Sequence, residues 1–302
     1  MRWRKRGLVY VPSGNLWWAR SYATMPTAGW AEDGALRIYF AALDEHLRGR
    51  IGYVDVDPWE PSRILREGAE PVLDLGAPGL FDDSGVNPSC VVEVDGRKYL
   101  YYVGWQRCER VPYMIFAGLA VAAEGDRFEK LQQVPVLDRT SGEPFLRSAI
   151  SVLREGGSFK AWYVSGLGWE EMSGKQYPTY TIRYAESVDG IHWQSRSEPC
   201  LALARDEFGF GRPWVLREKD RYCLWYSIRS RSAPYRIGYA ESHDGIHWLR
   251  KDDEVGIERS GEGWDSEMIC YPCVLDVAGK RYMFYNGNQH GATGFGYAVL
   301  EN

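Results

Sequence analysis

The sequence predicts an all-β chain folded as a five-bladed β-propeller. Two observations carry this reading: a motif that recurs five times, and a composition rich in both aromatics and glycine. The recurring element is an aromatic strand, seen as LRIYFAA, KYLYYVG, KAWYVSG, YCLWYSI and RYMFYNG. Its closing aromatics are Phe40, Tyr102, Tyr163, Tyr226 and Tyr285, spaced by 62, 61, 63 and 59 residues. Near-constant spacing of this kind marks stacked structural repeats and accounts for residues 1–302 as a single domain. The 302 residues include 13 Trp, 20 Tyr and 33 Gly, a mixture that suits aromatic strands separated by glycine turns.

Each unit follows one order. A small or apolar strand comes first, as in PSCVVEV (88–94) or PCVLDV (272–277), followed by a turn such as DGRK or AGKR and then the aromatic strand. A loop of variable length leads to a third strand, RIGYAES (236–242) or GFGYAVL (294–300). An Asp-Gly turn and a fourth strand, such as FEKLQQVPVL (128–137), close the unit. Four antiparallel strands repeated radially form a propeller, whereas a β-sandwich needs no fivefold pattern. The last copy lacks a fourth strand, and an unassigned strand, GLVYVP (7–12), precedes the first. Pairing that strand into the last blade would close the ring and remove two exposed sheet edges.

Composition narrows the function. The net charge is −5 with both signs interspersed, so no basic stripe offers itself to a phosphate backbone and no nucleic-acid partner is expected. Apolar runs are of strand length, so no membrane span is expected. The start, MRWRKRGLVYVPSG, has too short an apolar stretch for a signal peptide, and a cytoplasmic location is expected. The six cysteines include one CxxC, Cys270 and Cys273. In a regular strand these would point to opposite faces, so buried packing is favoured and no metal or cofactor is expected.

Propeller geometry sorts the loops. The first strand of each blade lines the channel, so the loops leading into it share one end of the disc with those crossing from second to third strand. These loops are long and irregular, and function concentrates on such loops. The leading loops carry Arg20, Arg147 and Arg212 beside the inner strands; the sequence reads them as holding an anionic group, with ion pairs to Asp83 or Glu267 as the structural alternative. Asp83 and Glu267 are the acids nearest an inner strand and, with Tyr271, the candidates for catalysis, the two acids to move protons. Tyr271 lies four residues after Glu267 and would share its face if the strand began there. The crossing loops supply His290, as acid, base or donor, together with Asn286, Asn288 and Trp169 as sugar contacts. His192 and His247 occupy equivalent places in a repeated turn and read as structural.

The units YAESVDGIHW (184–193) and YAESHDGIHW (239–248) resemble the blade motif of five-bladed glycosidases, the group of glycoside hydrolase families 43, 32, 68 and 130. The ending WDSEMICYP…YNGNQHGATGFGYAVLE is similar to glycosidase-like proteins of bacterial surface-polysaccharide gene neighbourhoods. The resemblance covers all five blades and implies a carbohydrate-active enzyme, in surface-glycan metabolism, acting on a small or oligomeric sugar. Its catalytic acids do not carry over. Where the hydrolases open the first inner strand with Asp, this chain has WWARSYATMP; where their third blade offers Glu, it has FLRSAISVL. Only FDDSGVNPS in the second blade keeps an Asp nearby. The arginines also resemble, in chemistry alone, the carboxylate grip of six-bladed sialidases, which use a Tyr supported by a Glu. Three functions follow as expectations: an enzyme on an anionic or phosphorylated sugar, a glycoside phosphorylase, or a sugar-binding propeller without catalysis.

Overall fold

The computed structural model describes residues 1–123 and 125–301. The chain opens with β1 (Trp3–Tyr10). Four antiparallel units of four strands then follow in order. The first is β2 (Ser21–Trp30), β3 (Leu36–Leu43), β4 (Gly49–Val56) and β5 (Ile64–Glu67). The second is β6 (Gly85–Val94), β7 (Arg97–Arg107), β8 (Tyr113–Ala122) and β9 (Phe128–Lys130). The third is β10 (Arg147–Glu155), β11 (Ser158–Met172), β12 (Lys175–Ser187) and β13 (Gln194–Pro199). The fourth is β14 (Glu207–Arg217), β15 (Tyr222–Ser230), β16 (Arg236–Ser242) and β17 (Leu249–Arg250). The fifth unit has three strands of its own, β18 (Cys270–Val277), β19 (Lys280–Asn286) and β20 (Phe295–Leu300), and β1 pairs antiparallel with β20 as its fourth. The N-terminal strand therefore completes the last blade. The fourth strands are shorter than the sequence suggests: β9 spans three residues, and Leu137 returns only as an isolated bridge to Ala117.

The repeated aromatics fill the blades. Phe40, Tyr102, Tyr163, Tyr226 and Tyr285 are all fully buried. A buried phenol needs a partner for its hydroxyl. Tyr102, Tyr163 and Tyr285 donate to Asp82, Glu143 and Asp265, each at 2.9 Å, and Tyr226 donates to Asp252 at 2.6 Å. A cation meets each of the three leading-loop acids: Lys130 meets Asp82, Arg147 meets Glu143, and Lys5 meets Asp265. Each leading loop is thereby fastened to the sheet behind it. The Asp-Gly turns repeat too, with Asp189 and Asp244 each 2.7 Å from the ring of His192 or His247 on an exposed corner.

Side-chain hydrogen bonds join neighbouring blades round the channel. Ser89 Oγ donates to the Ile150 carbonyl, Ser151 Oγ accepts from the Val215 amide, and Ser227 Oγ accepts from the Tyr271 amide. Cys273 Sγ accepts from the Ala28 amide at the closing seam. A bulge between Cys270 and Cys273 breaks the strand alternation, so both thiols are buried rather than facing opposite ways. Arg212 crosses the axis from blade four. Its Nη1 donates to the Tyr271 and Pro272 carbonyls at 2.8 and 3.2 Å, and its Nη2 to Thr27 Oγ1 and the Ser89 carbonyl at 2.7 and 3.4 Å. One side chain thus ties blade four to blades five, one and two. No helix among the described residues is long and apolar enough to cross a membrane.

Two outcomes follow. Removing residues 1–14 strips β20 of its partner and leaves Asp265 without Lys5, so the truncated protein should melt well below the intact one and self-associate; an unchanged melt by a monomer would contradict this closure. Arg212→Met leaves four buried oxygens without a donor and should cost roughly 3–5 kcal/mol in denaturant unfolding. A loss under about 1 kcal/mol would show that the axis does not need it.

Candidate functional site

Every inner strand carries a bulge near its start. Met25, Ala149, Arg212 and Tyr271 stand at bulges, and Asn87 lies two residues before the blade-two bulge at Ser89, which makes one residue per blade. Four of them adopt left-handed backbone: Met25 at φ 57°, Ala149 at 43°, Arg212 at 41° and Tyr271 at 56°. Non-glycine residues pay about 1–3 kcal/mol for such strain, which clusters at functional sites. All five line one cavity of about 780 Å³.

The walls come from the crossing loops of blades two to five. Blade two contributes Trp105 and the β7–β8 turn; blade three contributes Tyr177 and Tyr180; blade four contributes Arg229 and Tyr235; blade five contributes His290. Gly85 makes room for Trp105, because a Cβ there would lie 2.1 Å from the indole. The indole N–H donates to Asn87 Oδ1 at 3.1 Å, fixing both side chains at the cavity wall.

Arg229 organises the polar side. It is 4% exposed, and its Nη1 donates to the Pro178 carbonyl at 2.9 Å. Its guanidinium lies 4.8 Å from the Tyr180 ring centre, 4.3 Å from Phe208 and 5.7 Å from Tyr235. Its Nε is buried without a partner, and it makes no ion pair with a described carboxylate. Burial, and then a neighbouring ionisable group, Tyr180 for Tyr235 and Cys270 for Tyr271, hold both phenols well above the usual phenol range. Both are therefore protonated hydrogen-bond donors at neutral pH. His290 sits in a left-handed turn at φ 61°. Gly291 follows at φ 105°, where a Cβ would meet Asn286 Nδ2 at 2.7 Å and the Ala23 carbonyl at 2.8 Å. The imidazole centre is 4.7 Å from that of Tyr235 and 6.1 Å from that of Tyr271. His290 is exposed at the cavity mouth, yet the walls crowding one side of its imidazole, aided by the charge of Arg229, lower its pKa to about 4, so it is neutral near pH 7.

Of the residues singled out from sequence, Arg212, Tyr271 and His290 meet at this cavity. The others lie elsewhere, for identifiable reasons. Arg147 is buried against Glu143, 3.1 Å away, and donates to the Asp138 carbonyl, so its fork serves its own blade. Arg20 is exposed and donates to the Gly14 carbonyl. Asp83 accepts from the Gly79 amide and from Ser84 within its own loop. Glu267 is exposed on a loop, because β18 begins only at Cys270; it therefore neither shares a strand face with Tyr271 nor supports it. Asn286 accepts from the Met25 amide and donates to the Ala23 and Gly294 carbonyls, bracing the closing seam. Asn288 accepts from the Glu267 amide and donates to the Gly263 carbonyl, holding the loop before β18. Trp169 packs edge-on against Tyr113, which does line the cavity. Arg229, Arg110, Lys175 and the crossing-loop tyrosines escaped notice. A signal for them existed: proline and tyrosine adjoin at Pro112-Tyr113, Tyr177-Pro178 and Pro234-Tyr235, where three crossing loops return to the sheet.

The chain is 41% identical over its full length to the uncharacterized protein Rv1502 of Mycobacterium tuberculosis, whose own length is wholly covered. No family model matches the sequence. Among solved structures it is similar to a glycoside hydrolase at a TM-score of 0.77 and 19% identity, covering 98% of this chain and 90% of that one. It is also similar, at 0.74 and 14% identity, to a structure from the GH130 family of mannoside phosphorylases, a family that contains glycoside hydrolases targeting β-1,2 mannosidic linkages, covering 99% and 93%. These likenesses show the glycosidase-type propeller fold.

The state of His290 gives a pH signature. Its folded pKa, about 4, lies below the ordinary 6.5. Between those values the unfolded chain binds a proton that the folded chain does not, so stability falls as pH drops from 6.5 towards 4. His290→Gln should flatten part of that fall in melting temperature. A variant whose pH dependence matches the parent would show that the imidazole keeps an ordinary pKa.

Proposed function

The chain belongs to the family of the Mycobacterium tuberculosis protein Rv1502, and from its glycosidase-type propeller we propose a carbohydrate-active enzyme that binds an anionic or phosphorylated sugar in this cavity. The observation that carries the reading is Arg229, a buried cation on the wall with no described carboxylate to neutralise it. Burying a charge is expensive unless a partner compensates it, and an anionic ligand is such a partner. Arg110 and Lys175 add positive charge at the rim, and Arg212 adds it beneath the floor; Glu109 is the one acid lining the cavity among the described residues. Arg229 would grip the anion, with Tyr235 and Tyr271 donating to it or to sugar oxygens. Neutral His290 would accept a proton or a hydroxyl hydrogen bond.

The single acid also bears on the reaction. Ordinary glycoside hydrolysis uses two carboxylates, one as acid and one as base or nucleophile. Phosphorolysis needs only an acid, because phosphate arrives already ionised. In that step the anomeric C–O bond breaks, a phosphate oxygen bonds to the anomeric carbon, and the leaving oxygen takes a proton from the acid. The ratio of cations to acids favours this second reading over hydrolysis. Its acid would be Glu109, carried on the exposed β7–β8 turn.

Arg229→Lys keeps the charge but loses the planar fork. It should weaken binding of sugar 1-phosphates or uronic acids by roughly 1.5–3 kcal/mol and leave neutral sugars untouched, as read by calorimetry. Equal affinity of the parent for charged and neutral sugars would end the anionic reading. Release of sugar 1-phosphate from oligosaccharides only when phosphate is supplied would select phosphorolysis.

A further inference from the structure

The cavity has two unlike halves, divided between the blades. Arg229, Tyr235, Tyr271 and His290 come from blades four and five. The facing wall, from blades one to three, is built of Met25, Val103, Ile115, Ala149, Val164 and Trp105. All of these except Trp105 belong to, or pack against, one apolar cluster. The aromatic rings of Tyr113, Tyr177 and Tyr180 extend that wall and carry hydroxyls at their tips, and two further polar side chains interrupt it. Asn87 has its carbonyl occupied by Trp105, and Ser148 has a buried hydroxyl with no partner. The remaining polar lining of blades two and three, such as Glu109, Arg110, Lys175 and Gln176, lies near the outer turns of the β7–β8 and β11–β12 hairpins.

A plain sugar suits such a wall poorly. Its hydroxyls ring the molecule, and each one buried without a hydrogen-bond partner costs free energy. Apolar or aromatic surface gains where a hydroxyl loses. Resting on the anionic reading above, we propose that the ligand is amphipathic: an anion at Arg229 joined to an apolar or aromatic group that lies against Val103, Ile115 and Val164. In an enzyme of this kind that group would be the aglycone or ester substituent of a charged glycoside, so the cavity selects by what the sugar is attached to as well as by its charge.

The test separates the two halves with probes that need no knowledge of the sugar. Titration calorimetry compares inorganic phosphate with phenyl phosphate. Burying the ring should make phenyl phosphate bind about 10- to 100-fold more tightly. Ile115→Asn should abolish that advantage while leaving inorganic phosphate unchanged. Val111→Asn, nearer the solvent on the same wall, should reduce it and serves if the first variant does not fold. Arg229→Gln should weaken both ligands alike. Equal binding of the two phosphates, both lost in Arg229→Gln, would overturn the amphipathic ligand and leave the anion site standing. Binding indifferent to Arg229→Gln, or no binding of either phosphate, would overturn both.

Discussion

The guanidinium of Arg212 lies where the inner strands converge, and the geometry of the working end depends on it. A propeller is held mainly by contacts between neighbouring blades, so its channel is the place where small shifts between blades accumulate. Arg212 reaches across that place and donates to oxygens of three other blades, including the Tyr271 carbonyl at a bulge. Its side chain is 1% exposed and surrounded by neutral acceptors, with the buried thiols of Cys90, Cys270 and Cys273 close by. The charge is thus solvated by carbonyl dipoles instead of a carboxylate. That arrangement pins the strained backbone at Tyr271 and at Arg212 itself, two of the residues that form the floor of the cavity.

A second constraint explains where the acids went. In a propeller descended from or resembling glycosidases, carboxylates beside the inner strands invite a catalytic reading. Here Asp82, Glu143 and Asp265 sit beside those strands, but each is buried between a tyrosine hydroxyl of the second strand and a cation. Such acids anchor loops, and protonating or moving one would unfasten the loop it holds. Blade one breaks the pattern in an instructive way. Phe40 has no hydroxyl to satisfy, and Trp18 stacks on it with ring centres 6.0 Å apart, so apolar packing does the fastening there.

The fold was legible because radial repetition writes itself into sequence spacing, and because the unpaired GLVYVP strand and the three-stranded last unit each lacked the same partner. The loops around the cavity were legible for a related reason, since strand alternation assigns them to one end. Individual side chains were less so. Whether Arg147 or Arg229 faces the ligand depends on which arginine finds a carboxylate in the folded state, and Glu143 lies only four residues from Arg147. Glu267 was misplaced by assuming that β18 began three residues earlier than it does, so the alternation that would give it the face of Tyr271 never reaches it. The bulges are invisible to a pattern of period two, yet they bring Tyr271 to the cavity and Cys273 into the seam.

The pairing of β1 with β20 also sets a clock on the protein's birth. Trp3 is made 297 residues before Leu300, its partner. At roughly 5–20 residues per second, about 15–60 s separates the two during synthesis. Blades one to four can assemble meanwhile from local hairpins, but β1 must wait as an open edge with nothing to pair against. Ring closure is then the slowest and most exposed moment of folding, when a stray strand from another ribosome could take the vacant place. The Lys and Arg residues that punctuate WRKRGLVY put charge on that waiting edge, which is the ordinary way a sheet discourages the wrong partner.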